Sequence, residues 1–119
     1  MKYAFENLDV WQKSKELVKM IYQITESFPS DEKYGIASQI KRASISVSSN
    51  IAEGSTRQSK PDQARFYEIA FGSLIEVLNQ LIIASELGFL SDSTLKVIRN
   101  EIEVLGRMLN ALYKSRKPI

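Results

Sequence analysis

The chain has 119 residues, the size of one ordinary domain, and its 44% hydrophobic and 25% charged content is typical of a globular protein. It contains no Cys and no His, which excludes disulfides, thiolate and imidazole metal ligands, and nucleophile–His catalytic pairs. Its formal net charge of +2, from 16 basic and 14 acidic residues, does not by itself indicate a nucleic-acid partner. We therefore expect a single domain over residues 1–119 that is not an enzyme and needs no cofactor or metal.

The beginning of the sequence carries no signal for export. Residues 1–6 contain no continuous apolar segment, and no stretch approaches the roughly 20 apolar residues of a membrane span. We expect a cytoplasmic protein that does not contact a membrane.

The first two predicted helices are separated by a proline. The first covers residues 8–27, with Asn7 as its N-cap and Pro29 as its stop. The second covers residues 34–54 and follows a capped turn at residues 30–33. Apolar residues recur at helical spacing along both segments, as expected for helices that cover a core.

The third predicted helix begins with a serine cap, and the fourth follows a short turn. The third starts at Ser59, has Pro61 near its first turn, and ends at Gly88, which makes it the longest. The fourth begins after residues 91–92 and runs to Lys114. Four helices with short connections predict an all-α, antiparallel up-down-up-down four-helix bundle.

Three helices carry a second line of apolar residues beside the line that would face the core. A single bundle covers about one face of each helix, and additional exposed lines exceed the apolar patches usual in soluble monomers. We therefore expect a homo-oligomer. The alternative is that each second line only widens the core contact of a compact bundle. The predicted subunit-interface residues are Trp11, Val18, Tyr22, Phe71, Ile75, Leu78, Ile82, Val97, Val104 and Met108.

The second helix is unusually rich in serine and β-branched residues. Residues 44–49 are mostly weak helix formers, so packing must stabilise this helix, and their small size allows a close helix neighbour. Arg42, Ser46, Ser49 and Glu53 share a face, which is either a polar packing notch or a binding surface. Residues 50–54 are interpreted as a structural helix end. The Ser38-x-x-Lys41 spacing matches a penicillin-recognising motif, but the other motifs of that fold are absent.

The basic residues are the better indication of function. For each one, the alternative is a solubilising surface charge. In a symmetric oligomer, however, they would repeat and form a phosphate-binding surface that recognises backbone and shape rather than base sequence. The predicted nucleic-acid-binding residues are Lys41, Arg42, Arg57, Lys60, Arg65, Lys96, Arg107, Lys114, Arg116 and Lys117.

Several motifs in fixed order give the chain a family resemblance. They are Leu8-Asp9-Val10-Trp11-Gln12-Lys13, Ser38-Gln39-Ile40-Lys41-Arg42-Ala43, Ser49-Asn50-Ile51-Ala52-Glu53-Gly54, Gly72-Ser73-Leu74 and Leu87-Gly88-Phe89-Leu90. With them, the sequence resembles the four-helix-bundle proteins encoded in 23S rRNA intervening sequences. The resemblance implies a pentameric ring. It extends to the accessory proteins of diversity-generating retroelements, which implies binding to RNA or DNA and to a reverse transcriptase.

Two functional hypotheses follow. The first is a non-enzymatic, oligomeric nucleic-acid-binding or scaffolding protein that contacts phosphates through its basic residues. The second is a protein–protein assembly module that does not bind nucleic acid, with its partner on an apolar face.

Overall fold

The computed structural model describes residues 2–117, which form four α-helices: α1 (Asp9–Thr25), α2 (Ile36–Ser55), α3 (Lys60–Glu86) and α4 (Asp92–Arg116). Short 3-10 helices, Ala4–Asn7 and Ser30–Glu32, precede α1 and α2. No strand occurs within residues 2–117. The all-α prediction with four helices is therefore confirmed.

The serine cap predicted for the third helix is present, and the fourth helix has a serine cap that was not predicted. The Ser59 hydroxyl accepts a hydrogen bond from the Asp62 amide at 3.3 Å. The Ser91 hydroxyl accepts one from the Thr94 amide at 3.1 Å. Between these helices Gly88 adopts a φ of 82°, a left-handed conformation that favours glycine, and so turns the chain after α3.

The predicted starts of the first two helices were wrong. Asn7 lies inside the Ala4–Asn7 turn, where the Tyr3 amide donates to the Glu6 carboxylate at 2.7 Å, and Leu8 is the N-cap of α1 without a side-chain cap bond. The N-cap of α2 is Gly35, also without a side-chain bond. Local turns with their own hydrogen bonds thus displace both helix starts by one or two residues.

The core lies between the predicted apolar lines of the four helices. α1 packs against α2 and α4, and α3 packs against the same two helices. The fully buried aliphatic side chains come from every helix and are Ile21, Ile40, Val47, Ile51, Leu74, Val77, Leu81, Ile98, Leu105 and Leu109.

α2 and α3 approach each other closely through small residues, as the serine content of α2 predicts. The Ser46 and Ser73 hydroxyl oxygens are 2.9 Å apart across the two helices. At the other end of the contact, a Cβ built on Gly54 would lie 2.8 Å from a Tyr67 ring carbon and 2.9 Å from the Phe66 Cβ. At Ser46, which is half-buried against α3, the structure therefore favours the packing notch over the binding surface.

α3 corrects one expectation from the sequence. Among residues 2–117 it is the helix long and apolar enough to cross a membrane when judged by length and composition alone. It reaches this apolarity because it carries two apolar lines, and 33% of its most apolar window is buried in the bundle. Core helices of soluble proteins share this composition, so it is weak evidence for a membrane span.

Candidate nucleic-acid interface

The structure divides the ten predicted basic residues among three places. Six lie where α2 ends, α3 begins and α4 ends, and we call this group the basic end: Arg57, Lys60, Arg65, Lys114, Arg116 and Lys117. Lys41 and Arg42 lie near the start of α2, and Lys96 and Arg107 lie along α4. Lys41 and Ser55 are about 21 Å apart along the helix axis, so the predicted cluster around α2 is two separate groups.

A side-chain amide holds the basic end together. The Gln63 Nε2 donates to the Arg57 carbonyl oxygen at 2.9 Å, and the Arg116 Nε donates to the Gln63 Oε1 at 2.8 Å. Gln63 therefore ties the end of α4 to the α2–α3 connection. Gln63 was not among the predicted residues, because a lone amide in a first helical turn carries no periodic signal.

The cations of the basic end keep contact with solvent. The Arg57 guanidinium lies 4.5 Å from the centre of the Phe66 ring and 4.0 Å from the Glu53 carboxylate, an exposed pair that contributes little energy. The Lys117 ammonium lies 5.9 Å from the centre of the Tyr113 ring. Lys60, Arg65 and Lys114 are exposed. These groups are thus accessible to an anion.

Charge is distributed unevenly between the two ends of the bundle. Residues 2–9, 53–65 and 113–117 lie at the basic end and together hold seven basic and four acidic residues, an excess of three positive charges against two for the whole chain. The opposite end, where the Phe28 and Phe89 rings lie 5.8 Å apart, is acidic. Its residues 26–35 and 86–92 hold five acidic residues and one lysine. The positive field is therefore concentrated at one end.

One titratable group lies beneath the basic end. Tyr67 is buried, and this burial raises the pKa of its hydroxyl above the usual value near 10, while the positive charge of Arg116 acts in the opposite direction. Tyr67 therefore stays neutral at physiological pH and adds no negative charge beneath the cations.

Lys41 and Arg42 border an open cleft of about 290 Å³ between the end of α1 and the start of α2. The Lys41 ammonium lies 4.9 Å from the centre of the Tyr22 ring. This places Lys41 on an aromatic face rather than in a catalytic pair with Ser38, although both residues border the cleft. The lining residues are Tyr22, Lys33, Tyr34, Ser38, Lys41, Arg42 and Ile45.

Arg107 and Lys96 lie apart from the basic end. Arg107 borders a groove of about 320 Å³ between α3 and α4, whose lining includes Phe71, Ile75 and Leu78. Lys96 is exposed near the start of α4. A charge on the rim of an apolar groove is typical of a protein contact as much as of a phosphate contact.

The predicted interface residues fall on different faces of the bundle. Phe71, Ile75 and Val97 are 38%, 48% and 61% exposed. Phe71 and Ile75 line the α3–α4 groove with Leu78, whereas Val97 borders a cleft between α1 and α4. Tyr22 is exposed but covered on one side by Lys41. The half-buried remainder is Trp11, Val18, Leu78, Ile82, Val104 and Met108.

Part of this set contributes to the core of the bundle. Trp11, Leu78 and Met108 pack against the buried cluster. For these three residues the structure favours the alternative that the second apolar line widens the core contact. Exposed Ile45, Ile69 and Ile83 were not among the predicted residues, because each stands outside the lines of regular spacing.

The fold and the basic end define a small all-α protein of four helices with an asymmetric surface charge. The chain belongs to the family of 23S rRNA-intervening sequence proteins, whose family model matches residues 6–111. This confirms the resemblance drawn from the sequence motifs.

A solved structure supports the same fold. The crystal structure of a protein of unknown function from the S23 ribosomal protein family of Bacteroides thetaiotaomicron VPI-5482 aligns with a TM-score of 0.81. The alignment covers 88% of this chain and 98% of that one, at 23% sequence identity. No curated protein matches the chain significantly.

Proposed function

We propose that this chain is a non-enzymatic, oligomeric nucleic-acid-binding or scaffolding protein that contacts phosphates through its basic end. The observation that carries the proposal is the convergence of six basic side chains from two separate chain segments at one end of the bundle. Cations in such a cluster bind the phosphate backbone and release its counterions. The contact recognises backbone and shape, because no base-reading motif accompanies it.

Assembly is the second part of the proposal. We infer an up-down-up-down bundle, and the contacts of α1 with α4 support it. The Lys13 ammonium, near the start of α1, lies 2.7 Å from the Glu101 carboxylate in the middle of α4. Ile24, near the end of α1, shares a cleft with Thr94 at the start of α4.

We propose further that the subunits form a ring of five, as the family resemblance implies. Exposed Phe71 and Ile75 supply apolar surface for a subunit contact. A ring would present the basic end five times and so multiply its field. A cytoplasmic location and an accessory role beside a reverse transcriptase belong to the same proposal.

Neutralising the basic end tests the phosphate contact. The triple variant Lys60→Gln, Arg65→Gln, Lys114→Gln removes three exposed cations without touching the Gln63 bridge. Fluorescence anisotropy with a labelled duplex, titrated over salt, measures the affinity. We expect weaker binding and a slope of log affinity against log salt that is shallower by about two to three units, because each lost phosphate contact removes about 0.9.

A second triple variant provides the matched control. Lys15→Gln, Lys19→Gln and Arg99→Gln remove the same charge from half-buried Lys15 and exposed Lys19 and Arg99, which lie outside the basic end. The control should keep the slope of the wild type. Equal slopes for both variants would mean that binding follows net charge alone, and the assignment to the basic end would be wrong.

The second candidate function is a protein–protein assembly module. The α3–α4 groove favours it, because Phe71, Ile75 and Leu78 give it an apolar lining and Arg107 a charged rim. A partner bound there should stay in a pull-down after nuclease treatment and at high salt, and Ile75→Glu should release it. Loss of the partner after nuclease treatment would favour the nucleic-acid function instead.

A further inference from the structure

We infer that the cleft between the end of α1 and the start of α2 binds an unpaired nucleotide of a single-stranded nucleic acid, with Tyr34 stacking on its base. We call it the Tyr34 cleft. This inference rests on the proposed function and specifies the form of nucleic acid. The site is separate from the basic end, since α2 is about 30 Å long and the two lie towards its opposite ends.

The cleft supplies cations for a phosphate. Lys33, Lys41 and Arg42 belong to its lining, and no acidic residue does. None of the ion pairs within residues 2–117 includes any of the three. The Glu32 carboxylate, in the turn before α2, lies against Gly35, where an added Cβ would meet its Oε2 at 2.7 Å. Glu26, Asp31 and Glu32 lie at the same end of the bundle, but none of them forms an ion pair with a cation of the cleft within the described residues.

Tyr22 positions one of these cations. The Lys41 ammonium lies 4.9 Å from the centre of the Tyr22 ring, at the distance of a cation–π contact. Such a contact restricts the flexible lysine side chain, so that less conformational entropy is lost when a phosphate binds. Lys41 is half-buried, whereas Arg42 beside it is exposed.

Tyr34 supplies a free aromatic face. It is 89% exposed, the largest exposure among the large hydrophobic side chains of the described residues. The Lys33 ammonium lies 5.6 Å from the centre of its ring. An aromatic ring flanked by cations is the arrangement by which proteins bind single strands, because the ring stacks on a base while the cations contact the phosphates.

The geometry favours a single strand over a duplex. In a duplex each base is already stacked on its neighbours, so an aromatic side chain reaches a base face only where the base is unpaired. The cleft volume of about 290 Å³ lies at the lower limit of small-ligand sites, which suits one nucleotide.

Removing the Tyr34 ring tests the stacking. Anisotropy of the full chain is measured with a labelled oligo-uridine of about ten nucleotides and with a duplex of equal length. We expect Tyr34→Ala to weaken binding of the single strand about five- to tenfold and to leave duplex binding unchanged. Tyr34→Trp, which keeps an aromatic ring, should bind the single strand as the wild type does. The matched control is Tyr3→Ala, which removes another exposed tyrosine, 63% exposed, and should bind as the wild type does.

Four results of these binding experiments would overturn or restrict the inference. Unchanged single-strand binding in Tyr34→Ala, or an equal loss on the duplex, would overturn the inference. Uridine monophosphate that binds as tightly as the strand would overturn it too, since a strand should gain from several phosphates. If Tyr34→Ala does not change single-strand binding but the basic-end variant still weakens nucleic-acid binding, the proposed function stands and the Tyr34 site is wrong. No binding of either probe by the wild type at low salt overturns both.

Discussion

At the scale of single residues, two glycines with different surroundings make a matched pair. We expect Gly54→Ala to lower the free energy of unfolding by about 1 to 3 kcal/mol, because the new Cβ meets the Phe66 Cβ at 2.9 Å and neither backbone can yield cheaply. Gly72→Ala has nothing within 4 Å of its Cβ and should raise the free energy of unfolding by about 0.5 to 1 kcal/mol. Urea denaturation of both variants checks the prediction, and equal effects would contradict it.

The contribution of Tyr67 to the free energy of unfolding depends on pH. Burial raises the pKa of its hydroxyl above the usual value near 10, so above about pH 10 the unfolded chain releases a proton that the folded chain retains. The stabilisation is complete below pH 10 and is lost as the pH rises through the folded pKa. We expect the urea midpoint to fall less steeply between about pH 9 and pH 11 in Tyr67→Phe than in the wild type.

The exposed residue Tyr34 is the control for this measurement. Tyr34→Phe removes the hydroxyl of a tyrosine that is 89% exposed and so controls for the Tyr-to-Phe change itself. If both variants flatten the curve equally, burial of Tyr67 does not cause the effect.

At the scale of helices, a cap that depends on neighbouring residues was predictable, and the contacts between residues far apart in the sequence were not. Ser59 was predictable as a cap because a cap is set by the residues that directly follow it. The same reasoning failed at Asn7, because the turn before α1 has its own hydrogen bonds. The bridge from Gln63 to Arg116 joins residues 53 positions apart, and no local pattern marks it.

The close contact between α2 and α3 was predictable from composition, but the residues that form it were not. The small residues of α2 predicted a close neighbour, and the hydroxyls of Ser46 and Ser73 are 2.9 Å apart. The residues that meet across this contact depend on the rotation and offset of one helix against the other. For this reason the sequence did not predict the Ser46–Ser73 pair or the burial of Tyr67. The predicted basic cluster was incomplete for the same reason: it lacked Gln63 and joined Lys41 to residues beyond the far end of α2.

At the scale of the whole molecule, the exposed apolar surface predicts how subunits meet. If the α3–α4 groove is the subunit contact, Ile75→Glu should dissociate the oligomer, because it buries an unpaired charge there. The change should leave the fold intact, since Ile75 is 48% exposed in one subunit. Light scattering measures the mass and circular dichroism the helix content.

Val97→Glu is the control for this prediction. Val97 is 61% exposed on the separate face between α1 and α4. A charge there should leave an oligomer formed through α3 and α4 unchanged. If Val97→Glu dissociates it and Ile75→Glu does not, the contact lies on the α1–α4 face instead.

The central claim is that an oligomer binds phosphates through a basic surface. The most direct test is anisotropy of the wild-type protein with labelled RNA and DNA, single-stranded and duplex, from low to physiological salt, with its mass determined in the same buffer. The account predicts a mass several times that of one chain and a log affinity that falls linearly with log salt, with a slope of several units. A monomer, or the absence of binding at the lowest salt, would contradict it.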